Sequence, residues 1–396
     1  MNIKRVAMLS YGIFLSAVIG IVAAGFLIIE NLLSEVVWSN SNHLLQTGLI
    51  VIGSGILYFL LKCWPELPKT AHDSIQELKQ NQTIDYHDVF SNLLVTLVVL
   101  VFGAGVGPEA ALLSAIISLS IWQADNLRYL YFQYDELKAL KMGDVFKRLF
   151  NPFKYRQKYD DALAPKHPKL IKQKKLLYLV FSINGLLAFV LLLRQTDQPS
   201  FITKLGQSHW QWQQLWIVPL LMIVVAILGL VGKKIYQFVA KQFQQLQVPL
   251  LGKIFVGMLG IIVVSYWAPE LLFSGQHSLH LLTGEWSNQT PTFLFTMGLL
   301  KLVFLVWCLN LHWRGGDIFP ITFAAMTFGF ASAQLLPQFD TLLIAAVVAT
   351  TLMSILSSPV VGGIFLLFFF PITLSPIIVI IAAIMYFLGK ITIKKA

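Results

Sequence analysis

A single carboxylate, Glu109, lies in the otherwise apolar stretch VFGAGVGPEAALLSA at residues 101–115. A charged side chain inside a bilayer is costly, so such a residue marks a candidate functional site. The glycines allow an irregular backbone, and Pro108 suits the first turn of a helix, where N–H groups have no helical partner. The pattern therefore predicts Glu109 in a first helical turn. Its carboxylate would either hold the place of a bound anion or simply satisfy backbone donors.

A second break of the same kind, RGGDIFPITFAAMTFG, occupies residues 314–329, and Pro320 again suits a first helical turn. Two helix N-termini that point at one place form an anion site without a fixed cation. Backbone dipoles hold a halide weakly enough to release it, which suits a conducting pathway. The residues predicted to bind the anion are Gly105, Gly107, Ala110, Gly316, Asp317, Ile318 and Phe319.

Two further charges accompany these breaks. Asp317 would have to cap its helix, pair with a cation or be protonated, because it lies beside the predicted anion site. Lys301, in MGLLKLVFLVW, is an intramembrane lysine and hence a functional candidate that could neutralise Asp317 or attract anions. Alternatively, its apolar stem reaches from a helix end toward the membrane surface.

The elements that position these residues are apolar helices. Of the 396 residues, 57% are hydrophobic and 12% are charged, and the mean hydropathy is +0.72, which excludes an ordinary soluble domain. The composition predicts an all-α polytopic membrane protein with one transmembrane domain over residues 1–396. The predicted spans and half-spans are 6–38, 46–63, 88–103, 109–123, 175–193, 214–232, 249–267, 292–311, 318–336, 341–357 and 360–389.

The charge of the chain is concentrated in one region. Residues 125–175 carry 13 of the 29 basic residues and have a net charge of +7, out of +10 for the whole chain. A basic loop between spans typically marks the cytoplasmic face and contacts anionic lipids. We therefore predict a cytoplasmic loop at 124–175, with both termini on the same side and no nucleic-acid partner. Basic residues at the two ends of the chain agree with this: Lys4, Arg5, Lys390, Lys394 and Lys395.

The sequence divides into two halves of similar hydropathy, 6–240 and 249–390. Each half contains one Gly-rich break followed by a proline, and such pairs indicate an inverted-repeat transporter with its substrate site near the membrane midplane.

The two cysteines, Cys63 and Cys308, and the neighbouring His277 and His280 lack the spacing of a metal site. We predict no metal and no cofactor.

These residues resemble the CLC family of chloride channels and proton-coupled chloride transporters. The family's G-x-x-x-G-[KR]-E-G-P element is similar to Gly103–Ala111 and places Glu109 at the gating-glutamate position. The resemblance extends from about residue 10 to residue 390 in the order of the family's motifs. The other similar elements are Gly315–Pro320 for G-G-x-F-x-P, Phe273–Gly275 and Ser358–Gly363.

The chain also departs from the family pattern. No serine stands at the expected G-S-G-I-P element, where the sequence is Trp64–Pro68, and Pro108 replaces the basic residue before the gating glutamate. The inner glutamate of the coupled transporters is matched only by Gln198 or Asp197. The family's late tyrosine has no clear counterpart. Passive conduction is therefore at least as well supported as strict proton exchange.

The resemblance implies a homodimer of the cell membrane with one pore in each subunit, conducting chloride or another small anion. Glu109 would occupy the anion site when ionised and swing away when protonated. The alternatives are a proton-coupled chloride or fluoride antiporter and a non-conducting membrane scaffold. An intramembrane enzyme is not predicted, because Ser114, Ser118 and Ser265 have no evident catalytic partner.

Overall fold

The computed structural model describes residues 3–39, 42–151, 153–163, 168–196, 204–245, 247–275 and 286–395. Most of them are helical, which confirms the predicted all-α class. Within these ranges the chain forms no strand, apart from one isolated backbone bridge. Nine helical segments of the described chain are long and apolar enough to cross a membrane.

The helices are numbered here in chain order. Their bounds are α1 Ile3–Trp38, α2 His43–Cys63, α3 Ala71–Asn81, α4 Val89–Val101, α5 Glu109–Phe132, α6 Tyr134–Ala139, α7 Met142–Leu149, α8 Pro168–Leu193, α9 Ile217–Gln245, α10 Leu250–Trp267, α11 Pro291–Asn310, α12 Ile318–Leu335, α13 Thr341–Leu356, α14 Pro359–Phe369 and α15 Ser375–Lys395. Three of the apolar helices, α4, α13 and α14, are too short to span a bilayer alone.

The chain forms two compact units that interleave along the sequence. Unit 1 comprises Met1–Glu35, Trp64–Leu97 and Ala110–Gln198, and unit 2 comprises Val36–Cys63, Val98–Glu109 and Pro199–Ala396. The first break up to Glu109 and the whole of the second break belong to unit 2. The repeat halves 6–240 and 249–390 stay a prediction.

Unit 2 is built around α12 and α13. Nearly every residue of α13 is buried, as expected of a helix that is apolar on all sides. It packs against α12 and also against α9, α14 and α15, while α11 covers another side of α12. At the α12–α13 contact, a Cβ on Gly329 would lie 2.7 Å from the Ala345 carbonyl oxygen, so glycine permits this close approach.

Unit 1 joins α1, α5 and α8. Gly20 of α1 lies against the backbone of Gly185 in α8, so close that a Cβ on Gly20 would overlap the Gly185 carbonyl. Small residues allow such close helix contacts in membranes, where helix association depends on packing. Further along, Tyr11 and Leu15 pack with Phe181 of α8 in a buried apolar cluster.

The last apolar run, 360–389, is two helices instead of one. The helix α14 ends at Phe369, a 3₁₀ turn covers Ile372–Leu374, and α15 begins at Ser375. Pro371 is the cause, since it has no N–H to donate and disfavours helical geometry in the residue before it. Phe370 is accordingly extended, with φ −84° and ψ 152°.

The basic stretch 124–175 is more structured than a loop. The helix α5 continues to Phe132, α6 and α7 follow, and α8 begins at Pro168. The polar part of α5 stays helical because its side chains have buried partners. Gln123 donates to the carbonyl of Gly12 (2.8 Å), and Asp125 accepts from the Tyr86 hydroxyl (3.2 Å) and from Arg128.

Candidate anion pathway

The first break follows the end of α4. Gly103 has φ +82°, a left-handed conformation that favours glycine, and a Cβ there would lie 2.6 Å from the Trp38 ring. The N–H of Gly105 donates to the Cys308 sulfur (3.3 Å), and a Cβ on Gly105 would overlap the Phe304 ring. The break is thus held against one face of α11, with glycine required at both positions.

The second break connects α11 to α12 and is anchored by Trp313. This side chain is fully buried, and its Nε1 donates to the carbonyl of Ile254 in α10 (3.2 Å). The ring occupies the space beside Gly257, where a Cβ would overlap it. The Trp313 N–H donates to the carbonyl of Cys308 (3.1 Å), which closes the end of α11.

The two breaks meet through their backbones. Gly107 N–H donates to the carbonyl of Gly316 (2.8 Å), and Gly316 N–H donates to the carbonyl of Gly107 (2.6 Å). This pair is the isolated antiparallel bridge of the structure. It satisfies backbone groups that water cannot reach in a membrane. The interrupted segments therefore come together, as the sequence predicts.

Glu109 is the first residue of α5, and its side chain lies on this bridge. Its Oε1 accepts a hydrogen bond from the N–H of Phe319 at the start of α12 (3.1 Å). The N–H groups of Ile318 and of Glu109 itself also lie close to the carboxylate. The other oxygen, Oε2, is buried and has no hydrogen-bond partner. The carboxylate thus lies at the N-terminus of α12 as well as at that of its own helix, and a helix N-terminus attracts negative charge.

Gly107 and Gly316 leave room for this carboxylate. A Cβ on either glycine would overlap the Glu109 side chain. Phe319 contributes its backbone N–H, while its ring is buried and packs edge-on against Phe365 (4.9 Å between centroids). The surface that contacts the Glu109 side chain therefore consists of backbone atoms of these three residues.

The other predicted anion-binding residues named here lie at the starts of α5 and α12. Asp317 is the N-cap residue of α12, but its side chain makes no capping hydrogen bond and is exposed. Ile318 is half-buried in the first turn of α12. Ala110 follows Glu109 in α5 and belongs to unit 1. Gln198, the candidate for a proton path, lies outside the described residues.

Lys301 is fully buried in α11. Its ammonium donates to the carbonyls of Leu271 (2.7 Å) and Phe273 (2.6 Å), and it is close enough to Glu109 for their charges to interact. No ion pair joins it to Asp317, although both residues are described. Lys301 therefore does not pair with Asp317, and its side chain is enclosed by protein. It binds the carbonyls of a buried turn.

That turn is connected to the first break. Phe273 donates its N–H to the carbonyl of Gly103 (3.5 Å), and its ring packs edge-on against Trp38. The Nε1 of Trp38 donates to the carbonyl of Val101 at the end of α4 (2.9 Å). Lys301 thus supports the backbone that leads to Glu109.

The sequence reasoning missed the partners that α11 supplies. Lys301, Phe304 and Cys308 are spaced i, i+3 and i+7, so they share one helical face, and all three are buried. Phe304 and Cys308 contact Gly105, and Lys301 holds the neighbouring turn. The spacing was visible in the sequence. Phe365, which packs on Phe319, had no comparable signal.

Solved structures of other proteins share this fold. The chain is similar to a crystal structure of a CLC-type fluoride/proton antiporter, with a TM-score of 0.65 and 16% identity, over 98% of this chain and 96% of that one. It is also similar to a slow cyanobacterial Cl⁻/H⁺ antiporter, with a TM-score of 0.67 and 16% identity, over 96% of this chain and 94% of that one. At this identity, both matches show a shared fold.

Curated protein sequences give no significant match. The family profile described as voltage gated chloride channel, however, matches residues 172–390, which is more than half of the chain. That region contains α9 to α14 and the second break, and the shared fold extends over nearly the whole length. The chain belongs to the voltage-gated chloride channel (CLC) family.

Proposed function

We propose that the chain moves chloride or another small anion through the meeting point of the two breaks, with Glu109 as its gate. Anion transport follows from family membership. The observation that carries the gating role is the hydrogen bond from Phe319 N–H to Glu109 Oε1 (3.1 Å). A helix N-terminus attracts anions, so a carboxylate bound there competes with a transported anion.

The gate opens when the carboxylate leaves. Only one of its oxygens has a hydrogen-bond partner, and the other is buried without one, so the bound position is weakly held for a buried charge. Protonation removes the charge that the helix start attracts. A high concentration of anion displaces the carboxylate by competition. Transport should therefore increase at low pH and at high anion concentration.

The anion is bound mainly by backbone. The proposed contacts are the N–H groups around Gly105, Gly107, Ala110, Gly316, Ile318 and Phe319. Asp317, exposed at the N-cap of α12, would lower the local anion concentration when ionised. Lys301 opposes this effect through its buried positive charge.

A second candidate function is proton-coupled antiport. A carboxyl group that leaves the anion position can carry a proton with it, and the two similar structures named above are antiporters, one for fluoride and one for chloride. Gln198 is the proposed inner member of such a proton path. By resemblance to the family, we also propose a homodimer in the cell membrane, with both termini and residues 124–175 in the cytoplasm.

The test uses purified protein in liposomes. Chloride or fluoride efflux is recorded with an ion-selective electrode while a pH electrode follows proton movement. Wild type is compared with Glu109→Gln. Glu30→Gln is the matched control, since Glu30 is the carboxylate of α1 that accepts a hydrogen bond from Ser34 (3.4 Å) and lies outside the proposed pathway.

Three outcomes are distinct. Efflux without proton movement that loses its pH dependence only in Glu109→Gln supports a glutamate-gated channel. Proton movement in fixed ratio to the anion, abolished in the same variant, supports the antiporter. No efflux from wild type, or equal effects of the two substitutions, contradicts the role given to Glu109.

A further inference from the structure

The short helix α7 in unit 1 is amphipathic. Met142, Val145, Phe146 and Leu149 fall at i, i+3, i+4 and i+7, which places them on one face. Lys147 and its neighbour Arg148 lie away from that face. An eight-residue helix with this separation is unusual for a solvated loop and suits a boundary between polar and apolar surroundings.

The end of α7 is attached to α1. The Tyr11 hydroxyl donates to the carbonyl of Leu149 (2.6 Å). The Phe150 ring packs edge-on against Phe14 and Tyr11, with centroids 5.2 Å and 6.4 Å apart. The position of α7 is therefore fixed by that of Tyr11 and Phe14 in α1.

The length of α1 places these contacts at the membrane boundary. Its 36 residues span about 54 Å at about 1.5 Å per residue. The hydrocarbon core is about 30 Å thick, so about eight residues extend beyond it at each end of a centred helix. Tyr11 then lies where the hydrocarbon meets the headgroups, and Phe14 lies about one helical turn deeper. Tyrosine is enriched at that depth.

The apolar face of α7 is largely uncovered. Met142 is 74% exposed, Phe146 is 54% exposed and Phe150 is 49% exposed. Phe153, just beyond the helix, is 50% exposed. Phe146 and Phe150 stack on each other (5.3 Å between centroids), so they present one aromatic surface beside the exposed Phe14.

The segment that carries this aromatic surface is positively charged. Residues 134–158 contain seven basic and three acidic side chains, a net charge of +4. Arg148 is paired with Glu136 (2.7 Å). The exposed Lys141, Lys147 and Lys158 form no ion pair with any residue that the structure describes. Lys158 also acts on the charge of the buried Asp125, but the exposed ammonium groups of all three lysines can contact a partner outside the chain.

We propose that α7 lies in the membrane interface and binds anionic phospholipids of the leaflet next to Tyr11. The aromatic surface inserts between the headgroups and the acyl chains, and Lys141, Lys147 and Lys158 contact lipid phosphates. A leaflet that contains anionic lipids suits this segment because its acyl chains accept the aromatic side chains while its phosphates attract the lysines.

The test measures lipid retention by native mass spectrometry. Purified full-length protein is incubated with equimolar phosphatidylglycerol and phosphatidylcholine, and the retained molecules of each are compared. A variant with Lys141→Gln, Lys147→Gln and Lys158→Gln should lose the preference for phosphatidylglycerol by a factor on the order of ten or more. The control removes three charges elsewhere, with Lys62→Gln, Lys79→Gln and Lys234→Gln, and should keep the preference.

Hydrogen exchange of the full-length protein in nanodiscs gives a second measurement. Residues 142–150 should exchange more slowly in phosphatidylglycerol than in phosphatidylcholine. The triple variant should lose this difference while α1 keeps its protection, which excludes unfolding. Equal retention of the two lipids by wild type, or equal loss in the test and control variants, overturns the proposal.

Discussion

Truncating Glu109 to alanine should tighten anion binding at neutral pH. In wild type, an anion that reaches the start of α12 must first displace the carboxylate from Phe319 N–H, a hydrogen bond of 3.1 Å. A hydrogen bond to a charged group contributes about 1.5–3 kcal/mol. The buried Oε2 has no partner that would strengthen the hold on the carboxylate. Removing the competitor should therefore lower the apparent Kd for chloride about 10- to 150-fold.

Isothermal titration of the purified protein with chloride measures this change directly. Glu109→Gln should give a smaller gain, because a neutral amide oxygen accepts a weaker bond of about 0.5–1.5 kcal/mol. At acidic pH, where the carboxyl is protonated, the wild-type affinity should approach that of the alanine variant. Glu30→Ala serves as the control for loss of a carboxylate in a span.

Three results would contradict competition between the Glu109 carboxylate and the anion. If wild type binds chloride and Glu109→Ala binds it with the same Kd, the carboxylate does not compete for the anion position. An equal gain in Glu30→Ala would show that net charge, and not the bond to Phe319, sets the affinity. If the ratio of the wild-type Kd to the Glu109→Ala Kd is the same at neutral and acidic pH, protonation does not release the carboxylate.

Three other substitutions have defined outcomes. Lys301→Met leaves two buried carbonyls without a donor, so it should lower the free energy of unfolding by about 2–4 kcal/mol, an effect partly offset by removing a buried charge. Lys234→Met, at an exposed site, should leave the free energy of unfolding unchanged. Denaturant titration measures both. Gly316→Ala should push the Glu109 carboxylate out of its place, so liposome efflux should rise at neutral pH and depend less on pH; an unchanged pH profile would contradict this. The hydrogen bond from the backbone N–H of His87 lowers the pKa of Asp85. The ionised carboxylate therefore stabilises its turn at pH values above the unfolded pKa of about 4, and this contribution is lost as the pH falls through the lowered pKa of the folded state. Asp85→Asn should therefore reduce thermal stability slightly at neutral pH and not at strongly acidic pH.

The local chemistry of the first break could be predicted from its sequence. Glycines followed by Pro108 and Glu109 determine where a helix can begin, so the position of Glu109 in a first turn needed no knowledge of the fold. The same applies to Pro320 in the second break. The hydrogen bond from Phe319 to Glu109 was beyond such reasoning, because it joins residues 210 positions apart.

The partners of Lys301 illustrate a second limit. A buried lysine is expected to find an acid, and Asp317 was the acid that the sequence analysis suggested. Its actual acceptors are the carbonyls of Leu271 and Phe273, and backbone acceptors leave no mark on a sequence. The short helix α3 was missed for another reason. It is polar, and its signal is only the reciprocal cap between Thr70 and Asp73.

The bridge between Gly107 and Gly316 bears on how such a protein can diverge. Its two hydrogen bonds use only peptide groups, so substitutions elsewhere leave the joint intact as long as both positions remain small enough for Glu109. A joint built from peptide groups retains its dimensions while the surrounding side chains change over evolutionary time. This accounts for a chain that keeps the fold of two antiporters at 16% identity while losing the serine that the family's sequence pattern leads one to expect.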